Sequence, residues 1–248
     1  MTKEQIASAL DKLTDDNQYY GEFGRQFLSN SDVGTLLKNP REFRQPREDN
    51  PNFVKGRYFH QSLLEPEKAA VFPSVDVGSR NSIAYKEAVK DAGGAVLLLG
   101  KEKQELNELI ARMRGHYYFY EQMYLSGNQF EVPGVKEFNG VWWKGKADII
   151  SDTHIIDLKT TSNLGEFRYS ARKYNYDSRA YIYQSIFGKP LVFFAIDKTN
   201  GEMGVFETSE EFVMAGKAKV EKALEVYERF FGDNPTDTVD NYYIHETL

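Results

Sequence analysis

A single α/β domain with a mostly helical N-terminal third is the fold class that this sequence of 248 residues predicts. Three observations carry the prediction. Through the first half, apolar residues recur at helical spacing and the breaks fall at Pro and Gly-Gly. From Gly127 the text changes to short β-branched and aromatic runs separated by turn residues, the pattern of successive strands. Helical text then returns, followed by two more strands and a closing helix, an alternation typical of α/β architecture.

The elements follow in order. "MTKEQIASALDKL" reads as an amphipathic helix over 3–13. In "SNSDVGTLLKNPREF", Ser29 or Ser31 caps a short helix that ends near Asn39-Pro40, because proline cannot continue one. "NPNFVKGRYFHQSLLEPE" predicts a helix from about Asn52 to Leu64, stopped before Pro66. Another covers Ile83 to Ala92 and closes on Gly93-Gly94. "KEKQELNELIARMRGHYYFYEQMYL" reads as one longer helix with Leu106, Leu109, Ile110 and Met113 on its apolar side. "NQFEVPGVKEF", "GVWWKGKADIIS" and "THIIDLKTT" are three strands of a meander, with 141–150 and 153–160 paired as a hairpin. "LGEFRYSARKYNYDSRAYIYQSIFG" is helical. "PLVFFAID" and "EMGVFET" are strands joined by the turn KTNG, and a final helix spans roughly Glu210 to Phe231. The domain reading is a polar, partly helical extension over 1–50 packed on the core, the core domain over 51–232, and a loosely held polar tail over 233–248.

Composition sets limits. Hydrophobic residues at 41% and charged residues at 27% are ordinary for a globular domain able to bury a core. No apolar run is long enough to cross a bilayer, and the N-terminus lacks a signal-peptide layout, so the expected location is cytoplasmic. Without cysteine there are no disulfides, zinc-thiolate sites or iron–sulfur clusters. A net charge of −6 argues at first against a polyanionic partner, but the charge is unevenly distributed. Residues 201–248 hold 11 acidic and 4 basic side chains, a solvated helix face or a subunit contact. Residues 159–190 carry Lys159, Arg168, Arg172, Lys173, Arg179 and Lys189 against Glu166 and Asp177. Local potential is what a polyanion meets.

The chemistry concentrates in "KADIISDTHIIDLKTT", residues 146–161. On a strand Asp157 and Lys159 face one side and Leu158 the other. Hairpin pairing sets Asp148 beside Asp157. Two carboxylates hidden together repel and are costly to bury, and a divalent cation removes both problems. Mg²⁺ takes hard oxygen ligands and keeps some waters, which suits phosphodiester hydrolysis with Lys159 serving the attacking water. A lone D-x-K at a strand end is ordinarily a solvated ion pair. Asp148 on the adjoining strand is what sets this one apart.

Asp148…Asp157-x-Lys159 resembles the PD-(D/E)xK nuclease motif. The flanking text is similar to the exonuclease VIII (RecE-type) family of phage and prophage recombination enzymes. Four stretches carry the likeness: "SNSDVGTLLKNPREF", "KGRYFHQSLLEPEKA", "VWWKGKADIISDTHIIDLKTT" and "YNYDSRAYIYQ". The resemblance implies a restriction-endonuclease-like core, a mixed four- or five-stranded sheet flanked by helices. It implies a Mg²⁺-dependent exonuclease, with Mn²⁺ as substitute, acting on linear double-stranded DNA from a 5′ end and leaving 3′ overhangs. It further implies a ring-shaped trimer or tetramer, a single-strand annealing protein as partner, and a bacterial or phage-infected cytoplasm.

For the residues, the resemblance makes Asp148, Asp157 and Lys159 catalytic. His60, Glu131 and the carbonyl of Leu158 join the two aspartates around the metal. Read alone, His60 beside Tyr58 and Phe59 is more often a packed core histidine, and Glu131 is equally well a surface strand residue. Relatives carry Q-A-A-x-Y where this chain has Arg179-Ala180-Tyr181-Ile182-Tyr183, so arginine replaces glutamine while Tyr183 keeps its place. Arg179 and Tyr183, with Arg80, Arg172 and Lys173, are the substrate-binding candidates. The tyrosines over 169–183 suit base stacking or half-buried packing equally. Of Trp142 and Trp143 only one can face the core. His116, His154 and His245 have no assigned role. Two other readings stay open: an endonuclease of the same superfamily, and a catalytically silent DNA-binding or assembly protein of this fold.

Overall fold

The computed structural model describes residues 1–46 and 49–245. Helix α1 (Lys3–Lys12) starts at a capping box formed by Thr2 and Gln5, and α2 (Asp16–Tyr20) follows directly, capped by Asp15. Ser29, one of the two predicted caps, begins α3 (Asn30–Lys38), and its backbone N–H donates to Asp32 Oδ2 at 2.8 Å. Asn50 caps α4 (Pro51–Leu64), which has proline in its first turn, where no N–H is needed. The stop at Pro66 is only a kink in direction, because the same proline opens α5 (Pro66–Ala70).

Strand β1 (Ser74–Val75), helix α6 (Ile83–Asp91) and strand β2 (Leu98–Leu99) come next. The two strands pair in parallel and are too short to leave a period in the sequence. The long helix expected after them is two: α7 (Gly100–Gly115) and α8 (Tyr117–Tyr124), separated by His116 in an extended conformation. The break re-phases the chain. Ile110 and Met113 of α7 and Phe119 and Met123 of α8 all reach one core, which an unbroken 3.6-residue period would not allow.

The central sheet is mixed and five-stranded, in the spatial order β3 (Gln129–Phe138), β4 (Val141–Ile150), β5 (Ile155–Thr161), β6 (Leu191–Asp197), β7 (Met203–Glu207). The first three strands form the predicted antiparallel meander, β5 and β6 run parallel, and β7 turns back antiparallel. The parallel step requires a crossover, supplied by α9 (Phe167–Lys173) and α10 (Tyr176–Phe187). The sequence reads as helical throughout this stretch. Asn175 interrupts it at φ +58, a left-handed conformation that asparagine tolerates, and Asn30 and Lys219 bond to its carbonyl and side chain. The last helix, α11 (Glu210–Phe230), packs so closely on α10 that a Cβ at Gly216 would lie 2.0 Å from the Asp177 carbonyl oxygen.

Alternation along the strands divides the core between the two faces of the sheet. Ile155, Phe193 and Ala195 pack beneath α3, α9, α10 and α11, whereas Ile156, Leu158, Phe194 and Ile196 pack beneath α4, α7 and α8. The helices α3 and α4 thus lie on opposite sides. Trp143 is buried in the first core, and Trp142 covers the N-terminal cluster of Ala9, Leu13, Tyr19 and Phe27. One irregularity matters below. Ala147 belongs to the first core and Ile149 to the second, although residues two apart on a regular strand share a face. The strand therefore twists across Asp148.

The expected hairpin of β4 and β5 is paired only at Ile149↔Ile156 and Ile150↔Ile155. Further along β4, Leu28 takes the free edge: its N–H donates to Trp142 O at 2.9 Å, and its carbonyl accepts from Lys144 N at 2.8 Å. The described part of the tail is fastened rather than loose. Arg41 donates to the carbonyls of Asp240 and Tyr242, and the Arg229 carbonyl accepts from Thr236 and Asp237. The last three residues of the predicted tail lie outside the described residues. No described helix is long and apolar enough to cross a membrane.

Candidate active site

Three separate elements deliver the first cluster. His60 comes from α4, Glu131 from β3 and Asp148 from β4, and one ligand atom from each lies within 4.8 Å of the others. The α4 helix is held against the sheet by Phe59 and Leu63, its neighbours on the chain, which leaves the His60 imidazole facing the twisted segment of β4. Its Nδ1 stands 3.2 Å from Asp148 Oδ2. Glu131 has φ +49, unusual for a residue with a side chain, and stands opposite Asp148 between the pairs Phe130↔Ile149 and Val132↔Ala147. Backbone strain held in place by well-formed neighbouring pairs is what turns this carboxyl toward Asp148.

Electrostatics bind the three together. Burial pushes the Asp148 carboxyl up, but His60, Lys159 and Arg179 outweigh it and hold the group well below the usual carboxylate range. Burial likewise pulls the His60 imidazole down, while the Asp148 charge overrides it and raises it. Burial, reinforced by the negative charge on Asp148, pushes the Glu131 carboxyl up to about 8. His60 and Lys146 only partly offset these effects.

Asp157 lies beside this cluster and is fully buried, at 0% exposure. Lys159 Nζ is in contact with its Oδ2, and Arg179 Nε is 2.5 Å from its Oδ1. The same guanidinium reaches toward Asp148, with Nη2 at 3.9 Å from Oδ1. The charges are close but badly aimed: neither Asp157 oxygen, nor Arg179 Nε, makes a hydrogen bond of proper geometry among the described residues. A buried carboxylate without hydrogen bonds is costly unless a further partner completes it. Lys159 Nζ also donates to the Leu158 carbonyl at 3.1 Å and lies 5.4 Å over the Tyr176 ring. One imidazole and several carboxylate oxygens, with the Leu158 carbonyl at hand, form a hard donor set that fits Mg²⁺ or Mn²⁺.

The substrate-binding candidates disperse. Arg179 is at the carboxylates. Tyr183 is buried, its hydroxyl donates to the Lys146 carbonyl at 2.8 Å, and its ring supports the Arg179 guanidinium from 4.6 Å. Arg80 closes on both oxygens of Glu102 at 2.8 and 2.6 Å and on the Leu97 carbonyl. Arg172 pairs with Glu211 and rests on Phe212, and Lys173 lies over Tyr174.

Other neighbours of the site were not singled out from the sequence. Lys144, Lys146 and Asp148 alternate along β4, a period-two signal that places three charges on one face. Lys144 Nζ donates to the Tyr19 carbonyl and Lys146 Nζ to Asp16, and both ammonium groups sit over the Tyr19 ring at 4.3 and 4.7 Å. Burial pulls Lys144 down to about 8. This clamp holds α2 against β4 and leaves Tyr20 exposed, edge-on to Tyr19.

With that geometry in view, comparison with known proteins is informative. The family described as a PDDEXK-like domain of unknown function (DUF3799) matches residues 28–234. No curated protein matches the chain. A crystal structure from Eubacterium rectale, described as a "Putative exonuclease", superposes with a TM-score of 0.64 at 18% identity, covering 94% of this chain and 95% of that one. That likeness shows the fold. The crystal structure of SSO0001 aligns over 90% of this chain and 86% of its own at 13% identity, with a TM-score of 0.38, too low to carry an argument.

Proposed function

Because the chain belongs to the family of PDDEXK-like domains (DUF3799), we propose that it is a metal-dependent nuclease hydrolysing phosphodiester bonds in DNA. The observation that carries the reading is the convergence of His60, Glu131 and Asp148, from three elements, beside a buried Asp157 that lacks hydrogen bonds. These four residues and the Leu158 carbonyl would hold Mg²⁺ or Mn²⁺. When bound, such an ion supplies a nucleophilic water at neutral pH and stabilises charge on the phosphate.

The remaining work falls to side chains. Lys159, anchored by Asp157 and the Leu158 carbonyl, presents its ammonium to the attacking water and to a phosphate oxygen. Hydrolysis forms one P–O bond to the water oxygen and breaks one to the departing strand, whose oxygen takes up a proton. Arg179 offers a planar fork for a phosphate flanking the reacting one.

The finer reading is an exonuclease of the RecE type on linear double-stranded DNA, moving 5′ to 3′ and leaving 3′ overhangs for recombination. The description of the Eubacterium rectale structure as an exonuclease supports it. The same reading expects a ring-shaped trimer or tetramer and a single-strand annealing partner, which sedimentation and co-purification address. The decisive experiment is digestion of end-labelled linear duplex beside a covalently closed circle, with Mg²⁺ or EDTA, for wild type and Lys159→Ala. Loss of linear DNA alone, with metal and only for wild type, is the expected result. Cutting of the circle would make it an endonuclease, and binding without cleavage of either would end the nuclease reading.

A further inference from the structure

We propose that Arg179 is a built-in counter-ion that occupies the carboxylates until a phosphate draws it away, making metal binding and DNA binding depend on each other. The proposal rests on the metal-site reading above and deepens it.

Three cationic side chains, His60, Lys159 and Arg179, face the carboxyl groups of Asp148, Asp157 and Glu131. Asp148 and Asp157 already have cationic partners, so a divalent cation entering this space must displace some of that positive charge. The three cations differ in how they can yield. His60 can lose a proton and become a ligand. Lys159 is tethered by the Leu158 carbonyl at 3.1 Å and by its contact with Asp157. Arginine does not deprotonate in proteins, so Arg179 can yield only by moving.

The geometry permits that movement. Its Nε lies against Asp157 at 2.5 Å without the alignment of a hydrogen bond, and its Nη2 only approaches Asp148 at 3.9 Å. The side chain is 23% exposed although its Nε is buried, so part of it is within reach of solvent. The Tyr183 ring lies 4.6 Å beneath it and offers a surface over which it can pivot. A phosphate offers Arg179 what Asp157 does not, a bidentate partner in good alignment. Asp157, once released by Arg179, has Oδ1 free for a cation while Oδ2 keeps its contact with Lys159. Metal alone must displace the arginine into water, and DNA alone must compete with Asp157 for it. Together each removes the obstacle to the other, and the coupling is reciprocal by linkage. Arg179 is in this sense a positioning residue acting through Asp157. A glutamine at this position would carry no charge and would leave the two events independent.

The test reads affinity rather than turnover. Ca²⁺ is titrated calorimetrically into the full-length protein alone and with excess short blunt DNA duplex, for wild type, Arg179→Gln, Arg179→Lys and Asp148→Asn. Wild type is expected to bind Ca²⁺ about tenfold or more tightly with duplex present. Arg179→Gln should bind it tightly without duplex and show little further gain. Arg179→Lys keeps the charge and should retain weak binding in the absence of DNA. Circular dichroism melting verifies that each variant is folded. Ca²⁺ binding that depends on Asp148 but has the same coupling in wild type and Arg179→Gln would overturn the counter-ion role and leave the metal site standing. Ca²⁺ binding unaffected by Asp148→Asn would overturn the metal site itself, and the coupling with it.

Discussion

Asp148 Oδ2 accepts the backbone N–H of Leu158 at 2.7 Å, joining β4 to β5 just beyond the point where their ladder of paired residues ends. A side chain thus takes the place of a main-chain carbonyl between the strands. The gap it bridges is where β4 twists and where His60 and Arg179 reach in, so the same carboxylate that opens the site also closes the sheet.

That double duty separates two substitutions. Asp148→Asn keeps an oxygen for the Leu158 N–H, loses the stabilisation its charge gains from His60, Lys159 and Arg179, and should abolish divalent-metal affinity. Asp148→Ala leaves a buried N–H unsatisfied and should cost about 1–3 kcal/mol more in urea unfolding. Equal stability of the two variants would show that the bond to Leu158 contributes nothing.

Glu131 trades stability for chemistry. Its left-handed backbone costs about 1–2 kcal/mol in a residue with a Cβ. Glycine relieves this at about 0.4–1 kcal/mol of added freedom in the unfolded chain. Glu131→Gly is therefore expected to raise the melting temperature of the metal-free protein and to lower its metal affinity. A melting temperature that falls would contradict the strain argument.

Metal affinity should rise with pH. The ordinary carboxyl value of 4.5 is moved up to about 8 at Glu131, so below pH 8 this group holds a proton that an entering cation must displace. His60, raised by Asp148, must also lose its proton to become a ligand, which works in the same direction. Glu131→Gln removes one of these protons and should flatten the dependence. Calorimetry in two buffers of different protonation enthalpy counts the protons released, and none released by wild type would refute the assignment.

Asp157 and Lys159 should part company. Asp157→Asn is expected to lose metal affinity, because it removes a buried carboxylate. Lys159→Ala should retain metal and lose cleavage rate by a factor of about 10²–10³, the usual cost of one electrostatic group at a reacting centre. Metal binding measured beside single-turnover cleavage distinguishes the two.

The α2 clamp can be tested at one glycine. A Cβ on Gly24 would fall 1.9 Å from the Tyr19 carbonyl oxygen and 2.6 Å from Lys144 Nζ, and a backbone oxygen cannot step aside cheaply. Gly24→Ala should cost about 1–3 kcal/mol of stability. It should also increase hydrogen exchange in α2 and leave α4 unchanged.

Much of this was legible in the chain. Short β-branched and aromatic runs bounded by turn residues located all five strands of the sheet, and Asp148, Asp157 and Lys159 stood out as charges among isoleucines. His60 and Glu131 were reached through resemblance, since neither an imidazole on a helix nor a strand glutamate announces a ligand. The helix breaks at His116 and Asn175 fall at weak helix formers, Gly115 and Asn175 itself, which end a helix only where packing requires it. What ends those helices is the need of Phe119 and Tyr176 to meet residues far away in sequence.

The sequence by itself determined the runs that become strands and helices, and the three charges that share the 12 positions from Asp148 to Lys159. Only the tertiary structure decided the company those charges keep. The Arg179–Asp157 contact, the Glu131–Asp148 approach and the Lys144–Tyr19 clamp each join separate elements. Local periodicity specifies which face a side chain takes but carries no information about which distant element is packed against that face. That is settled by the burial of the two cores on either side of the sheet.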